Sequence, residues 1–248
     1  MAALLWFGAG LLLGSFANVL IHRIPRGESI VHPPSRCPTC GTRIRWFDNV
    51  PVVSWVVLRG SCRDCGAAIS PRYPAVELGM GILAAFVGWK YGFTAVGVLL
   101  AGLLLVLLVV SFIDAATMEV PNVLSYFAVA AGVLCAPFNA LLGDDWFVRS
   151  VSALAGALAG FGLLLVVGVA GGRVFRKDAV GGGDIKLFTA VGACLGWSAV
   201  GPVLFYASLV ATVYVAVKAL IRRRNPFGTY VPFVPFITAG VIVYLVRR

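Results

Sequence analysis

Apolar residues in this chain fall into long, unbroken runs. The first covers 2–21 and meets no charge before His22. Seven more cover 75–89, 93–113, 123–142, 148–170, 185–197, 201–221 and 227–246. About 20 consecutive apolar residues is what an α-helix needs to cross roughly 30 Å of hydrocarbon. The runs are continuous rather than alternating, which excludes a membrane β-barrel. Those at 75–89 and 185–197 are short or interrupted by charge, and their ends are the least defined. Residues 22–74 differ in kind, being rich in Pro, Arg and Cys with apolar residues scattered; they read as a loop domain outside the bilayer. A cleaved signal peptide is the competing reading of 2–21. It is disfavoured because neither a basic stretch before the run nor a small-residue cleavage site after it is present.

Composition agrees. The 248 residues are 60% hydrophobic and 12% charged, with a mean hydropathy of +0.96, against roughly 25% charged in ordinary globular chains. A chain of this length cannot hide that much apolar area in one core, which excludes a soluble enzyme, a disordered tail and a disulfide-dense module. The expected architecture is an all-α polytopic membrane protein of about eight transmembrane helices. Residues 1–21 form the first helix, 22–74 a four-cysteine loop domain, and 75–248 the remaining bundle.

The net charge of +10 is a topology signal. The 22–74 loop holds Arg23, Arg26, Arg36, Arg43, Arg45, Arg59, Arg63 and Arg72. With eight spans, Arg173, Arg176, Lys177 and Lys186 fall on the same side, as do Lys218, Arg222, Arg223 and Arg224. Sixteen of the twenty basic residues therefore face one way, which the positive-inside rule makes cytoplasmic. Both termini then face outward, and little positive charge is left over to indicate nucleic acid.

Cys37-Pro-Thr-Cys40-Gly and Cys62-Arg-Asp-Cys65-Gly are two C-x-x-C knuckles. Four thiolates so spaced can close a tetrahedron around zinc. Disulfides are the alternative, and a reducing cytoplasmic loop disfavours them. Four protein ligands leave no open position, so the expected role of Cys37, Cys40, Cys62 and Cys65 is structural. Cys135 and Cys194 lie in apolar runs and read as core filling.

With only ten acidic residues, each can be weighed. Glu28, Asp48 and Asp64 read as solvated loop surface, and Asp144 and Asp145 as an outer turn. Glu77 enters a span directly after the loop domain. Asp114 closes an apolar run, and Asp184 follows Gly181-Gly182-Gly183 and opens another; both are expected at the cytoplasmic ends of their helices. Ionisable groups at the membrane are costly and by default functional. For Asp184, a helix N-cap is the bland alternative. If the two carboxylates meet, both cannot ionise, and the pair holds one proton near neutral pH. One then serves as general base on water while its protonated partner polarises a peptide carbonyl. The side-chain-free Gly181–Gly183 stretch lets a substrate backbone approach; a P-loop is excluded by spacing and by the missing Gly-Lys-Ser/Thr end.

These residues resemble the bacterial type IV prepilin peptidases, an intramembrane aspartic protease family. The resemblance runs through Gly14-Ser15-Phe16-Ala17-Asn18-Val19, Arg23-Ile24-Pro25-Arg26-Gly27-Glu28-Ser29 and Pro33-Pro34-Ser35-Arg36-Cys37. It continues in Ile69-Ser70-Pro71-Arg72-Tyr73-Pro74 with Val76-Glu77-Leu78, in Asp114 with Pro121 and Leu124, and in Gly181-x-Gly183-Asp184 with Lys186. It implies an enzyme of the bacterial inner membrane. Such an enzyme cleaves the basic leader after Gly from type IV prepilins and type II secretion pseudopilins at the cytoplasmic face, with Asp114 and Asp184 as catalytic pair. It also implies methylation of the new N-terminal residue by S-adenosylmethionine, with Gly14–Asn18, Glu77 and the zinc domain as candidates for that second site. Two rivals remain. A proton- or ion-coupled transporter would need its carboxylates near the bilayer midplane. A zinc-capped assembly scaffold would be indifferent to Asp114→Asn and Asp184→Asn.

Overall fold

The computed structural model describes residues 1–175, 180–222 and 231–248. Arg176, Lys177, Arg223 and Arg224 of the basic loops lie outside the described residues. Nine α-helices are present among them: α1 Ala2–Arg23, α2 Val53–Val57, α3 Arg72–Tyr91, α4 Ala95–Thr117, α5 Asn122–Leu134, α6 Trp146–Phe175, α7 Gly182–Leu195, α8 Trp197–Arg222 and α9 Val234–Arg247. Each of the eight apolar runs supplies one helix; α2 belongs to the loop domain. Four helices, α1, α4, α6 and α8, are long and apolar enough to cross a membrane. The others fall short for local reasons. The run at 123–142 stops being α-helical at Leu134, and Pro137 sits in a 3-10 turn at Ala136–Phe138, because proline has no N–H to carry the helix on. Helices α7 and α9 have 14 residues each. Asp145 Oδ1 accepts from the N–H groups of Phe147 and Val148, both at 2.9 Å, and so caps α6.

The described chain divides into two compact units, Met1–Gly97 and Val98–Arg248. In the first, α1 and α3 pack antiparallel through small residues. A Cβ on Gly10 would lie 2.6 Å from Ala84 Cβ, and one on Gly14 2.6 Å from Glu77 Cα. Asn18 Nδ2 donates to Tyr73 O at 3.1 Å one turn further on. In the second unit, α6 and α7 are antiparallel and touch backbone to backbone. A Cβ on Gly156 would sit 2.1 Å from Gly192 O, and one on Gly160 2.7 Å from Phe188 O. Close approach through glycines is how helices associate where lipid removes any hydrophobic drive between them. Helix α5 lies beside α7, with Gly132 against Ala193 and Cys194. Helix α9 is antiparallel to α8, through Gly240 against Val203 and Ala207, and to α4, through Ser111 and Thr238 hydroxyls 2.8 Å apart.

Cys194 is buried, as expected of core filling, but Cys135 is exposed. It caps the C-terminus of α5, where the chain has already left the helical face that packs.

Candidate active site and cysteine cluster

Asp114 lies in the last turn of α4 and is 5% exposed. The helix continues to Thr117 and ends at Met118, whose φ of +57° reverses the chain. Asp114 Oδ2 accepts the N–H of Val234 at 3.0 Å. That group is the first of α9, so the carboxylate faces the positive end of a helix. Asp184 does not cap α7. The N-cap is Gly181 and the helix already begins at Gly182, so Asp184 stands in the first turn, with its N–H donating to Gly181 O at 3.0 Å. Its carboxylate reaches back to the Gly181 backbone, and it lies close enough to Asp114 for the two charges to act on each other.

The approach depends on two local contacts. A Cβ on Gly183 would lie 2.5 Å from Val120 Cβ, so only glycine lets α7 begin against the α4–α5 turn. Beside it, Lys186 Nζ donates to Asn122 Oδ1 at 2.8 Å and sits 5.7 Å from the Tyr126 ring centroid, tying α7 to the start of α5. Gly182 has open space where a side chain would project. An open groove of about 340 Å³ beside this helix end is lined by Leu165, Val169, Val180 and Ile185, by Gly168 and Gly172, and by the charged Arg173.

Sequence reasoning located the two aspartates and the glycines but missed Val234 and Val120. Pro235 was the available signal for Val234, since proline in the first turn marks a helix start. Nothing in the local pattern marks Val120.

The four cysteines converge. All their Sγ atoms lie within 4.8 Å of one another, with Cys37 and Cys65 at 3.8 Å. Four sulfurs each 2.3 Å from one ion would stand about 3.8 Å apart, so the cluster fits tetrahedral zinc. The two knuckles repeat one backbone design. Cys37 N donates to Thr42 O at 2.9 Å and Ile44 N to Ser35 O at 2.9 Å; Cys62 N donates to Ala67 O at 2.8 Å and Ile69 N to Gly60 O at 2.7 Å. Gly41 and Gly66 close the turns at φ +73° and +70°, where a Cβ is disfavoured. Backbone N–H groups of Cys40 and Thr39 pull the Cys37 thiol down to about 6. At Cys65 the Ala67 N–H pulls the same way, but desolvation and the three neighbouring thiols push it up to about 12. Four thiols so crowded cannot all ionise without a cation among them.

Asp48 and Asp64 are not idle surface. Both oxygens of Asp48 accept from Arg63, the shortest contact being 2.7 Å, which holds its carboxyl below the usual range. Asp64 pairs with Arg45 at 3.5 Å. Both pairs link the second knuckle to the segment between the two, and Phe47 lies under both Arg45 and Arg63.

Comparison with known proteins falls on the same two parts. The profile of the Bacterial Peptidase A24 N-terminal domain matches residues 9–91, and that of the Type IV leader peptidase family matches 101–216. The chain is similar to proteins named prepilin leader peptidase/N-methyltransferase. With that of Neisseria gonorrhoeae it is 35% identical over 95% of this chain and 87% of the relative. With that of Klebsiella pneumoniae the figures are 40%, 83% and 90%. With that of Myxococcus xanthus (strain DK1622) they are 40% and 85%, and the match spans 61% of the relative's length. No solved structure matches.

Proposed function

The chain belongs to the type IV leader peptidase family, and from that membership we propose that it removes the basic leader from type IV prepilins and pseudopilins and methylates the N-terminus so exposed. The observation that carries the peptidase reading is the Gly183–Val120 contact, which sets Asp184 beside Asp114. One aspartate, ionised, takes a proton from water as its oxygen attacks the scissile carbonyl. The other, protonated, donates to the carbonyl oxygen. Collapse of the tetrahedral adduct breaks the C–N bond, and the proton passes to the leaving amine. The helix end at Val234 orients Asp114, and the open space over Gly182 admits the substrate backbone. The groove along Leu165, Val169 and Ile185 offers an apolar wall for the hydrophobic segment that follows the leader.

Sixteen basic residues on one side support an inner-membrane orientation with this site facing the cytoplasm. The cysteine cluster holds zinc as a folding centre through Cys37, Cys40, Cys62 and Cys65. Both aspartates fall in the unit that matches the leader peptidase family, which leaves the Met1–Gly97 unit for methyl transfer from S-adenosylmethionine to the new amine.

The test presents a purified prepilin and labelled methyl donor to wild type, to Asp114→Asn and Asp184→Asn, and to Cys→Ser variants, scoring leader removal and methyl incorporation separately. Full cleavage by either Asp→Asn variant would refute the peptidase assignment.

A further inference from the structure

The least comfortable backbone in the Met1–Gly97 unit is at Val52, a β-branched residue with φ +62° and ψ −49°. Val53 N donates to Pro51 O at 2.6 Å across it, so Val52 is the centre of a positive-φ γ-turn, the rare and strained kind. What faces it is a carboxylate. Val52 N donates to Glu77 Oε2 at 2.7 Å, and Glu77 reaches there from α3 while only 8% exposed. Ser15 of α1 bonds the same carboxylate. Glu77 is in neither ion pair formed among the described residues. Its hydrogen bonds go to a strained turn and to a helix.

That turn starts α2, and α2 holds both halves of the cysteine domain. Ser54 Oγ donates to Phe47 O at 2.9 Å and accepts from Val50 N at 3.1 Å, fixing the segment after the first knuckle. Trp55 Nε1 donates to Ile69 O at 3.0 Å, and a Cβ on Gly60 would meet the Trp55 ring at 2.9 Å, fixing the second. An unbroken series of bonds therefore leads from the α1–α3 pair, through Glu77 and Val52, to both knuckles. Strain maintained this way, at a position the surroundings over-determine, is characteristic of sites with a geometric task.

We propose that Glu77 is a positioning residue for methyl transfer: it holds Val52 in its γ-turn and thereby sets the four-cysteine domain against α1 and α3. The inference rests on the assignment of methyl transfer to the Met1–Gly97 unit. Without the carboxylate, Val52 relaxes to negative φ, α2 swings, and the knuckles lose their register to the helices while the aspartate pair is untouched.

The test uses the full chain in lipid nanodiscs with a prepilin and labelled methyl donor. Glu77→Ala is expected to lower methyl incorporation by about tenfold or more and to leave leader removal unchanged. Glu77→Gln, whose amide oxygen still accepts from Val52, keeps most methylation. The decisive variant is Glu77→Ala with Val52→Gly. Glycine holds φ +62° without support, so methylation returns toward wild type, which loss of packing alone could not produce. Hydrogen exchange at the Val52 amide should speed up in Glu77→Ala. Wild-type methylation in Glu77→Ala, or a double variant as poor as the single, overturns the proposal. Failure of the underlying assignment looks different: Asp184→Asn would then fail to methylate a substrate supplied already cleaved.

Discussion

Replacing Gly183 with alanine puts one methyl group where the structure has no room for it. The new Cβ would stand 2.5 Å from Val120 Cβ and 3.1 and 3.2 Å from its two γ-carbons, against the roughly 3.5–4.0 Å at which carbon atoms rest. The N-terminus of α7 must back away from the α4–α5 turn by about 1 Å. Overpacking of this kind costs about 1–3 kcal/mol of stability, which this bundle should survive. Catalysis is less forgiving, since Asp184 rides one residue further on, and a misplacement of about 1 Å can cost on the order of 10²-fold in rate. Leader cleavage, followed by the mobility shift of a purified prepilin, is therefore expected to fall about 10²-fold in Gly183→Ala. Pairing it with Val120→Gly removes the opposing Cβ and should restore most of the rate. Gly102→Ala in α4, where a Cβ meets nothing within 4 Å, controls for the added methyl. An unchanged rate in Gly183→Ala, or no recovery in the double variant, would refute the argument that this contact sets the aspartate spacing.

Three further outcomes follow from the same geometry. Asp114→Asn and Asp184→Asn should each lower cleavage by about 10²–10⁴-fold with the fold retained, and methylation of a pre-cleaved substrate should persist, as mass spectrometry of the product would register. Purified protein should carry one zinc per chain, lost in Cys37→Ser or Cys62→Ser. Binding requires thiolates, so protons compete with the metal, and zinc content measured by atomic absorption should drop as pH is lowered. Gly156→Ala or Gly192→Ala drives a Cβ into the facing carbonyl, at 2.1 and 2.0 Å, and should lower thermal stability by about 1–3 kcal/mol; no shift in melting would show that α6 and α7 slide freely.

What could be seen in advance was whatever is written in one-dimensional pattern. Apolar runs gave eight of the helices, four of them long and apolar enough to cross a membrane, and the C-x-x-C spacing gave the converging thiols. The carboxylates stood out because charge is scarce. Pattern was silent where two distant segments define each other. Gly183 against Val120, and Asp114 under Val234, are long-range contacts with no local signature. Helix ends went wrong for related reasons. A cap was the bland alternative for Asp184 because aspartate often is one, but Gly182 and Gly183 already lie in the helix and Gly181 is its N-cap. Cys135 looked buried because its neighbours are apolar, but α5 ends just before it. Asp48 and Asp64 looked idle because their arginine partners lie 15 and 19 residues away.

The brevity of α7 and α9 has a bearing on how water reaches the reaction. Fourteen residues rise about 21 Å, well under the roughly 30 Å of a hydrocarbon layer. A lone helix of that length cannot touch solvent at both ends, and here each begins beside an aspartate: α7 carries Asp184 in its opening turn, and α9 offers its leading amide to Asp114. Set in such a layer, each helix leaves about a third of the thickness unspanned, and water entering from the ends where the two helices begin would meet the carboxylates first.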